Sequence, residues 1–398
     1  MRGGNGRDSS AGVLRIGMIG LDNPRVRTFA RLLNGGAAPY MAPPAAAANP
    51  GAAGAAAQAD RGAVTAPGPA PAFAGATLTA AWPGEPSPDF PLSAERLDGF
   101  VRELQSDFGV AMLDSIEAVA KECDAWMLEA VDGRTRPELF GIMAAYGKPI
   151  FVDKPFALSS GDAERMRRAA ARYGAPWMSA SSLRHAEALS EAIRAVADAE
   201  ASPAGGPRFS LAEPPAAGES QLSPEPQAAR AARSSAFARS AVRGADLYGP
   251  MPMQPTQAGY FWYGIHTAEM LLRALGPGCV EVFAARTQGH DVLTGIWADG
   301  RIGTIRGGRA GGESFGGTLH GTRLSHSFEV RASDKPYLES QLEAVIAFLA
   351  GGPGPVDPRE TLEIVRFLEA ANRSAETGVR VKLQGSSTNT AQAPDKEA

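Results

Sequence analysis

The sequence predicts an α/β protein in two parts: a doubly wound parallel sheet, followed by an α+β unit with a mostly antiparallel open sheet. Three observations lead there. Short apolar segments alternate with segments of helical period from residue 14 to about residue 182, the order that parallel strands with crossover helices require. Several of those strands, such as "DAWMLEAV", are apolar without alternation, as strands covered on both faces must be. Beyond residue 246 the long helices drop out between strands, and Asp299-Gly300 sits between two alternating runs as a hairpin signal.

Each element has a local reason. "LRIGMIG" (14–20) is a strand stopped by glycine. Asn23 then serves as a helix N-cap, with Pro24 in the first turn and Val26, Phe29, Ala30 and Leu33 on one face up to about Asn34. "ATLTAAW" (76–82) is the second strand, and a helix capped by Ser93 runs to Gly109. Strand "VAMLDS", helix "IEAVAKEC", strand "DAWMLEAV" (124–131), helix "RPELFGIMAAYG" and strand "KPIFVD" follow. A helix closed at Gly174 and the strand "PWMSASS" complete the alternation. The later part offers a helix over "GYFWYGIHTAEMLLRALG", strands "CVEVFAAR", "DVLTGIWADGRIGTIRG" and "FGGTLHGT", and two amphipathic helices near the end. The last of these starts at Asp357 as N-cap, with Pro358 at N1 and Glu360 placed for a capping box.

Composition bounds the function. The chain has 398 residues, 44% of them hydrophobic, which suits two domains with sizeable cores. A net charge of −4 gives no electrostatic case for nucleic acid. Cys123 and Cys279 are the only cysteines, too few for a disulfide framework. No apolar run spans a bilayer, and the start of the chain does not read as a secretory signal, so a soluble cytoplasmic protein is expected. No internal repeat of solenoid period is present. Residues 36–75 and 199–238 are Ala/Gly/Pro-rich insertions with too few large apolar side chains to offset the entropy of ordering. With tails at 1–12 and 385–398, the expected domains are 13–184 and 185–384.

The ordered segments "RIGMIGLDN", "DAWMLEAV", "GKPIFVDKPFAL", "SSLR", "GIHTAEMLLRALG" and "ETLEIVRFLEAANRSAETGVRVKL" resemble the Gfo/Idh/MocA oxidoreductases (glucose–fructose oxidoreductase, inositol dehydrogenase and relatives). The resemblance covers nearly the whole chain outside the insertions and tails. It implies an N-terminal Rossmann domain that binds NAD or NADP, and a C-terminal α/β domain carrying the substrate site. The implied activity is hydride transfer at a hydroxyl or carbonyl carbon of a sugar, sugar acid or cyclitol, with a small polyol or sugar as partner and a homodimer or homotetramer as the assembly.

Asp153-Lys154-Pro155 resembles the family's Glu-Lys-Pro, whose lysine lies between nicotinamide and substrate. A cation there lowers the cost of alkoxide character as hydride leaves. His266 matches the family's histidine and is expected to exchange the hydroxyl proton. For both residues a plainer role stays open: a solvated strand end for Lys154, a hydrogen-bonded core histidine for His266. Gly20, Leu21, Asp22 and Asn23 stand where the dinucleotide loop should be, and Asp132 and Arg136 lie at the same sheet edge, so these residues with Asp153 are the cofactor candidates. Arg184 and Tyr263, the latter in the aromatic run Tyr260-Phe261-Trp262-Tyr263, are the substrate candidates, although Arg184 can equally bridge the domains by an ion pair. The remaining histidines show no paired spacing, so no metal is expected.

Three departures from the family pattern stand out. The loop keeps only the first glycine of Gly-x-Gly-x-x-Gly, and Asp22 sets a carboxylate near an incoming phosphate, a repulsion of up to about 4 kcal/mol at an effective dielectric of about 20, unless it turns inward. Trp82 and Pro83 occupy the place of the acid that holds the adenosine ribose, with Glu85 as a substitute. Trp262 stands where the family often has an aspartate. Two other readings therefore remain: a catalytically degenerate carbohydrate- or nucleotide-binding protein, and a redox-neutral enzyme with tightly held NAD(P).

Overall fold

The computed structural model describes residues 12–35, 71–73, 75–202, 241–310, 314–331 and 334–383. Both tails and the larger part of the two Ala/Gly/Pro-rich insertions lie outside them. The first sheet has six strands, β1 (Leu14–Ile19), β2 (Ala76–Trp82), β3 (Ala111–Met112), β4 (Ala125–Leu128), β5 (Ile150–Asp153) and β6 (Trp177–Ala180), in the order β3-β2-β1-β4-β5-β6. All neighbours pair in parallel. The order reverses direction at β1, which opens a crevice at the carboxyl ends of β1 and β4, where doubly wound sheets bind ligands.

Side chains on the two faces explain the unbroken apolar strands. Ile16, Met18, Met127, Phe151 and Met178 face one way, under α1 (Arg25–Asn34), α2 (Pro91–Phe108) and α8 (Tyr337–Leu349). Ile19, Trp126, Leu128, Val152 and Trp177 face the other, under α3 (Ile116–Glu122), α4 (Arg136–Ala144) and α5 (Ser160–Tyr173). Burying one such large side chain contributes about 1.5–3 kcal/mol. α8 comes from the end of the chain, so the polypeptide returns from its second sheet to cover the first.

Gly20 closes β1 with φ of 79°. A Cβ there would lie 2.6 Å from both N and Cα of Ala130, so the backbones of the β1 and β4 ends touch directly. Gly20→Ala is expected to cost about 3 kcal/mol or more, combining left-handed strain with overpacking. Thermal denaturation checks this; a loss under about 1 kcal/mol would mean that the loop moves freely.

The second sheet contains β7 (Gly244–Pro250), β8 (Cys279–Arg286), β9 (His290–Trp297), β10 (Ile302–Gly308), β11 (Gly316–His320), β12 (Ser325–Glu329) and β13 (Val381–Lys382), in the order β12-β11-β7-β10-β9-β8-β13. β7 and β10 run parallel and every other pair is antiparallel. α6 (Glu187–Ala201), α7 (Gly264–Leu275) and α9 (Pro358–Thr377) pack against this sheet. Asp299-Gly300 does form the β9–β10 turn, with Gly300 at φ 89°.

Local expectations need five corrections. The helix assigned to a Ser93 cap begins two residues earlier at Pro91, and Ser93 is buried inside it. The helix expected from Gly259 starts at Gly264, after a separate 3₁₀ turn over Gly259–Phe261. "VAMLDS" contributes only two strand residues. Asp357 caps α9 through the N–H of Arg359 (2.8 Å), but Glu360 turns away from a capping box to pair with Arg184. Helix α6 also runs into the segment read as the second insertion.

Candidate functional site

The carboxyl ends of β1, β4 and β5 gather a buried set of charges. Arg136, the first residue of α4, is 1% exposed. Its guanidinium donates to the carbonyls of Ala130 (2.7 and 2.9 Å), Asp153 (2.6 Å) and Pro155. It thus ties the end of β4 to the turn after β5, where the Lys154–Pro155 peptide is cis. With its N–H groups aimed at backbone carbonyls, Arg136 acts on the turn that presents Lys154.

Asp153 is ion-paired with Arg25 from the start of α1 and accepts from Asn23 Nδ2 (3.0 Å). The same amide lies 3.4 Å from Glu129 Oε2, so one asparagine bridges two buried carboxylates. Their titrations diverge. Burial would raise Asp153, but the nearby cations Arg25, Lys154 and Arg136 win and hold it below its ordinary value. Burial, then the charge of Asp153, pushes Glu129 well above the usual carboxylate range.

Lys154 projects from this platform, partly exposed, with Nζ 5.3 Å from the centre of the Trp262 ring. Burial, then repulsion from Arg25, lowers its ammonium to about 7. Trp262 meets Phe90 edge-on at 5.7 Å, and so closes the cleft between the N-cap of α2 and the segment before α7. Tyr263 lies edge-on to His266, ring centres 5.3 Å apart, and Phe315 approaches that imidazole at 5.9 Å. His266 Nδ1 is 2.6 Å from Ser181 Oγ at the end of β6. Burial, then the charges of Lys154 and Arg25, lowers its pKa well below the ordinary value, so the ring is neutral at physiological pH. Lys154 and His266, far apart in sequence, are linked through the aromatic run: Lys154 lies over Trp262, Trp262 neighbours Tyr263, Tyr263 abuts His266, and the charge of Lys154 reaches the imidazole.

Asp22 has turned inward. It accepts from Ser93 Oγ (2.6 Å) and from the N–H of Val131 (2.8 Å), and is 6% exposed. Leu21 and Asn23 are also buried, and Asn23 Oδ1 accepts the Arg25 N–H (3.2 Å) at the start of α1. Asp132 accepts from Ser87 Oγ (2.6 Å), Arg134 and Gln257 Nε2 (3.0 Å), while Gln257 Oε1 receives the Gly133 N–H (3.1 Å). Gln257 belongs to the loop after β7, so this network also joins the two sheets. Burial would raise Asp132, but the hydrogen bonds from Arg134, Ser87 and Gln257 hold it far below its usual value.

Arg184 lies elsewhere in the interface, 6% exposed, paired with Glu360 (2.6 Å) and Glu269 (3.4 Å), while Arg273 donates to its carbonyl. That is the bridging role left open for it. Glu129, Arg25 and Ser181 are site residues that the sequence candidates lacked. Glu129 had a signal, a lone acid inside an apolar strand. Ser181 had none before β6 and α7 came together. Among the described residues no group of three or more His, Cys, Asp or Glu is placed to hold a metal ion, and no helix is long and apolar enough to cross a membrane.

The fold has clear relatives among solved structures. GenD2 from gentamicin A biosynthesis, in complex with NAD, superposes with a TM-score of 0.61 at 18% identity, covering 96% of this chain and 99% of that one. The scyllo-inositol dehydrogenase of Lactobacillus casei gives 0.61 at 12% identity, with 94% and 99% covered. The myo-inositol 2-dehydrogenase of Lactobacillus plantarum gives 0.61 at 14%, with 94% and 100% covered. A scan against protein-family models finds no match, and neither does a search of curated proteins. The chain thus has the two-sheet fold of these oxidoreductases, with the parallel sheet first and the mixed, largely antiparallel sheet second, as the resemblance implied.

Proposed function

We propose that the protein is an NAD(P)-dependent oxidoreductase that moves a hydride between nicotinamide and a hydroxyl- or carbonyl-bearing carbon of a sugar, sugar acid or cyclitol. The observation that carries this reading is the placement of Lys154 over Trp262 at the carboxyl edge of the parallel sheet, with His266 reached from there through Tyr263 and within the field of Lys154. The comparison structures support it, since GenD2 is held with NAD and two others are inositol dehydrogenases.

The residues fit a dinucleotide. An adenosine-side cavity of about 250 Å³ opens at the ends of β1, β2 and β4, at the small end of ligand pockets and suited to one ring system. Asp22, being turned inward, no longer opposes a phosphate as feared. Gly20, Leu21, Asp22, Asn23 and Asp132 would shape that side, with Asp153 and Arg136 holding the Lys154 turn. When bound, the nicotinamide would supply the hydride acceptor or donor.

The chain's own residues do the rest. In the oxidation direction His266 takes the hydroxyl proton on Nε2 while Nδ1–H donates to Ser181 Oγ. The Lys154 ammonium stabilises the oxygen as it gains negative charge. Trp262 and Tyr263 offer ring faces to C–H surfaces of the substrate and exclude water. Arg184 stabilises the interface. We also take the chain to divide after Arg184, to work in the cytoplasm and to pair through its open second sheet as a homodimer or homotetramer.

A nucleotide-binding protein without turnover is the second reading. It is favoured by Trp262, which stands where the family often has an aspartate and whose ring lies 5.3 Å from Lys154 Nζ. Titrating the protein with NADH and NADPH and following nucleotide fluorescence tests both readings. Binding in the micromolar range, with hydride transfer to or from myo- or scyllo-inositol, is expected; absence of binding to either nucleotide at millimolar levels defeats the first reading, and binding without turnover of any polyol favours the second.

A further inference from the structure

A groove of about 820 Å³ lies between the start of α4 and one face of α5, a volume within the range of small-molecule sites. Arg165, Arg168, Ala169 and Arg172 stand at i, i+3, i+4 and i+7 of α5 and line it together, with Tyr173 next to them. Arg134 and Pro137 line it from the α4 side. Glu138 is the one acid among the lining residues, and it also borders the cavity at the ends of β1, β2 and β4.

The four guanidinium groups are unequally matched by carboxylates. Arg134 is held by Asp89 (2.7 Å) and Asp132 (2.6 Å), and Arg165 pairs with Asp162. Arg168 reaches only Glu164, at 3.9 Å, and that carboxylate already receives two hydrogen bonds from Arg167 (2.6 and 2.8 Å). Arg172 lies over the Tyr173 ring at 5.3 Å and has no carboxylate partner among the described residues. Like charges one turn apart on a helix repel by about 0.2–0.5 kcal/mol. The helix dipole accounts for a cation in the last turn, which covers Arg172 but not Arg168 a turn earlier.

A guanidinium offers N–H donors in a planar fork that matches the oxygens of a phosphate. Seven residues of helix span about 10 Å, the reach of one compact anion. Arg134 adds a donor group from the other side, so the groove meets such an anion from two elements. We propose that this groove binds a compact phosphate-bearing anion, with Arg168 and Arg172 as its principal donors. Neither Lys154 nor His266 lines it, so it stands whether or not the cleft takes a dinucleotide.

The test is calorimetric titration of the full chain with inorganic pyrophosphate at one fixed ionic strength, since salt screens charge effects of this kind. Saturable binding with Kd below about 1 mM is expected, weakened at least about tenfold in the Arg168→Gln/Arg172→Gln double variant. Both side chains are exposed, so the variant should fold, and its circular dichroism melt verifies this. A parallel fluorescence titration with NADH is expected to give the same affinity for both proteins. Absence of pyrophosphate binding at millimolar levels overturns the proposal. So does unchanged pyrophosphate affinity in the folded double variant, which would place the anion elsewhere, or an equal loss of NADH affinity, which would assign the arginines to the nucleotide. Pyrophosphate binding that the double variant loses, in a protein that binds no NADH, supports the groove and defeats the dinucleotide reading alone.

Discussion

Lys154→Ala is expected to lower kcat by about 10²–10³-fold, the usual loss when one preorganised charge at a developing oxyanion is removed, while NADH affinity changes little. The measurement is steady-state reduction of NAD with a cyclitol, beside a fluorescence titration of NADH. The pH profile makes the assignment sharper. Lys154 sits near 7 because burial and Arg25 disfavour its charge. Its ammonium is present below that value and lost above it, so kcat/KM should fall as pH rises through about 7. His266 is already neutral across this range, so no acid limb near its ordinary value is expected. A wild-type profile that rises through neutrality and flattens, or a Lys154→Ala enzyme with ordinary turnover, would remove the lysine from the reaction. The same displacement is a cost to folding. The unfolded chain holds the Lys154 proton up to about 10.4 and the folded chain only to about 7, so this group makes stability rise with pH between those values.

The largest stability effect should come from Arg136→Ala, about 3–5 kcal/mol. The loss has two parts. Carbonyls of Ala130, Asp153 and Pro155 lose their donor in a buried place, and Asp153 and Glu129 lose a compensating charge. Denaturant unfolding measures it directly. Arg136→Lys should recover only part, because an ammonium cannot reproduce the planar fork that spans the two strand ends. A loss below about 1 kcal/mol would show that water replaces the guanidinium at little cost.

The sequence was most legible where local chemistry and burial agree. The first sheet's strands are apolar on both faces, and Gly109, Gly174 and Gly378 take left-handed conformations at the helix ends where the pattern stops. It was least legible where pairing overrides composition. No strand was expected over "GADLYGP", yet it is the interior strand β7 because β10 and β11 pair with its two edges. β12 is a polar edge strand that alternates only between exposed and half-buried positions, and six of the fifteen residues of α6 are alanine, with only Leu189, Ala192 and Val196 buried.

The site followed the same division. Lys154 and His266 came from residue order, and in the structure Trp262 and Tyr263 lie between them. Ser93 was read as a cap, but a tertiary partner, Asp22, claims its hydroxyl. The commitment of Arg25 to Asp153 depends on how α1 meets β5, which no local pattern encodes.

The helix α9 touches both β6 and β8, and one continuous apolar cluster runs from Leu128 and Val152 to Leu271 and Phe367. Together with the Arg184 clamp, this makes the rear of the molecule a shared backbone for its two parts. Heat or denaturant therefore meets a single cooperative unit, and any breathing that admits a ligand must take place at the front, around the aromatic contact of Phe90 with Trp262.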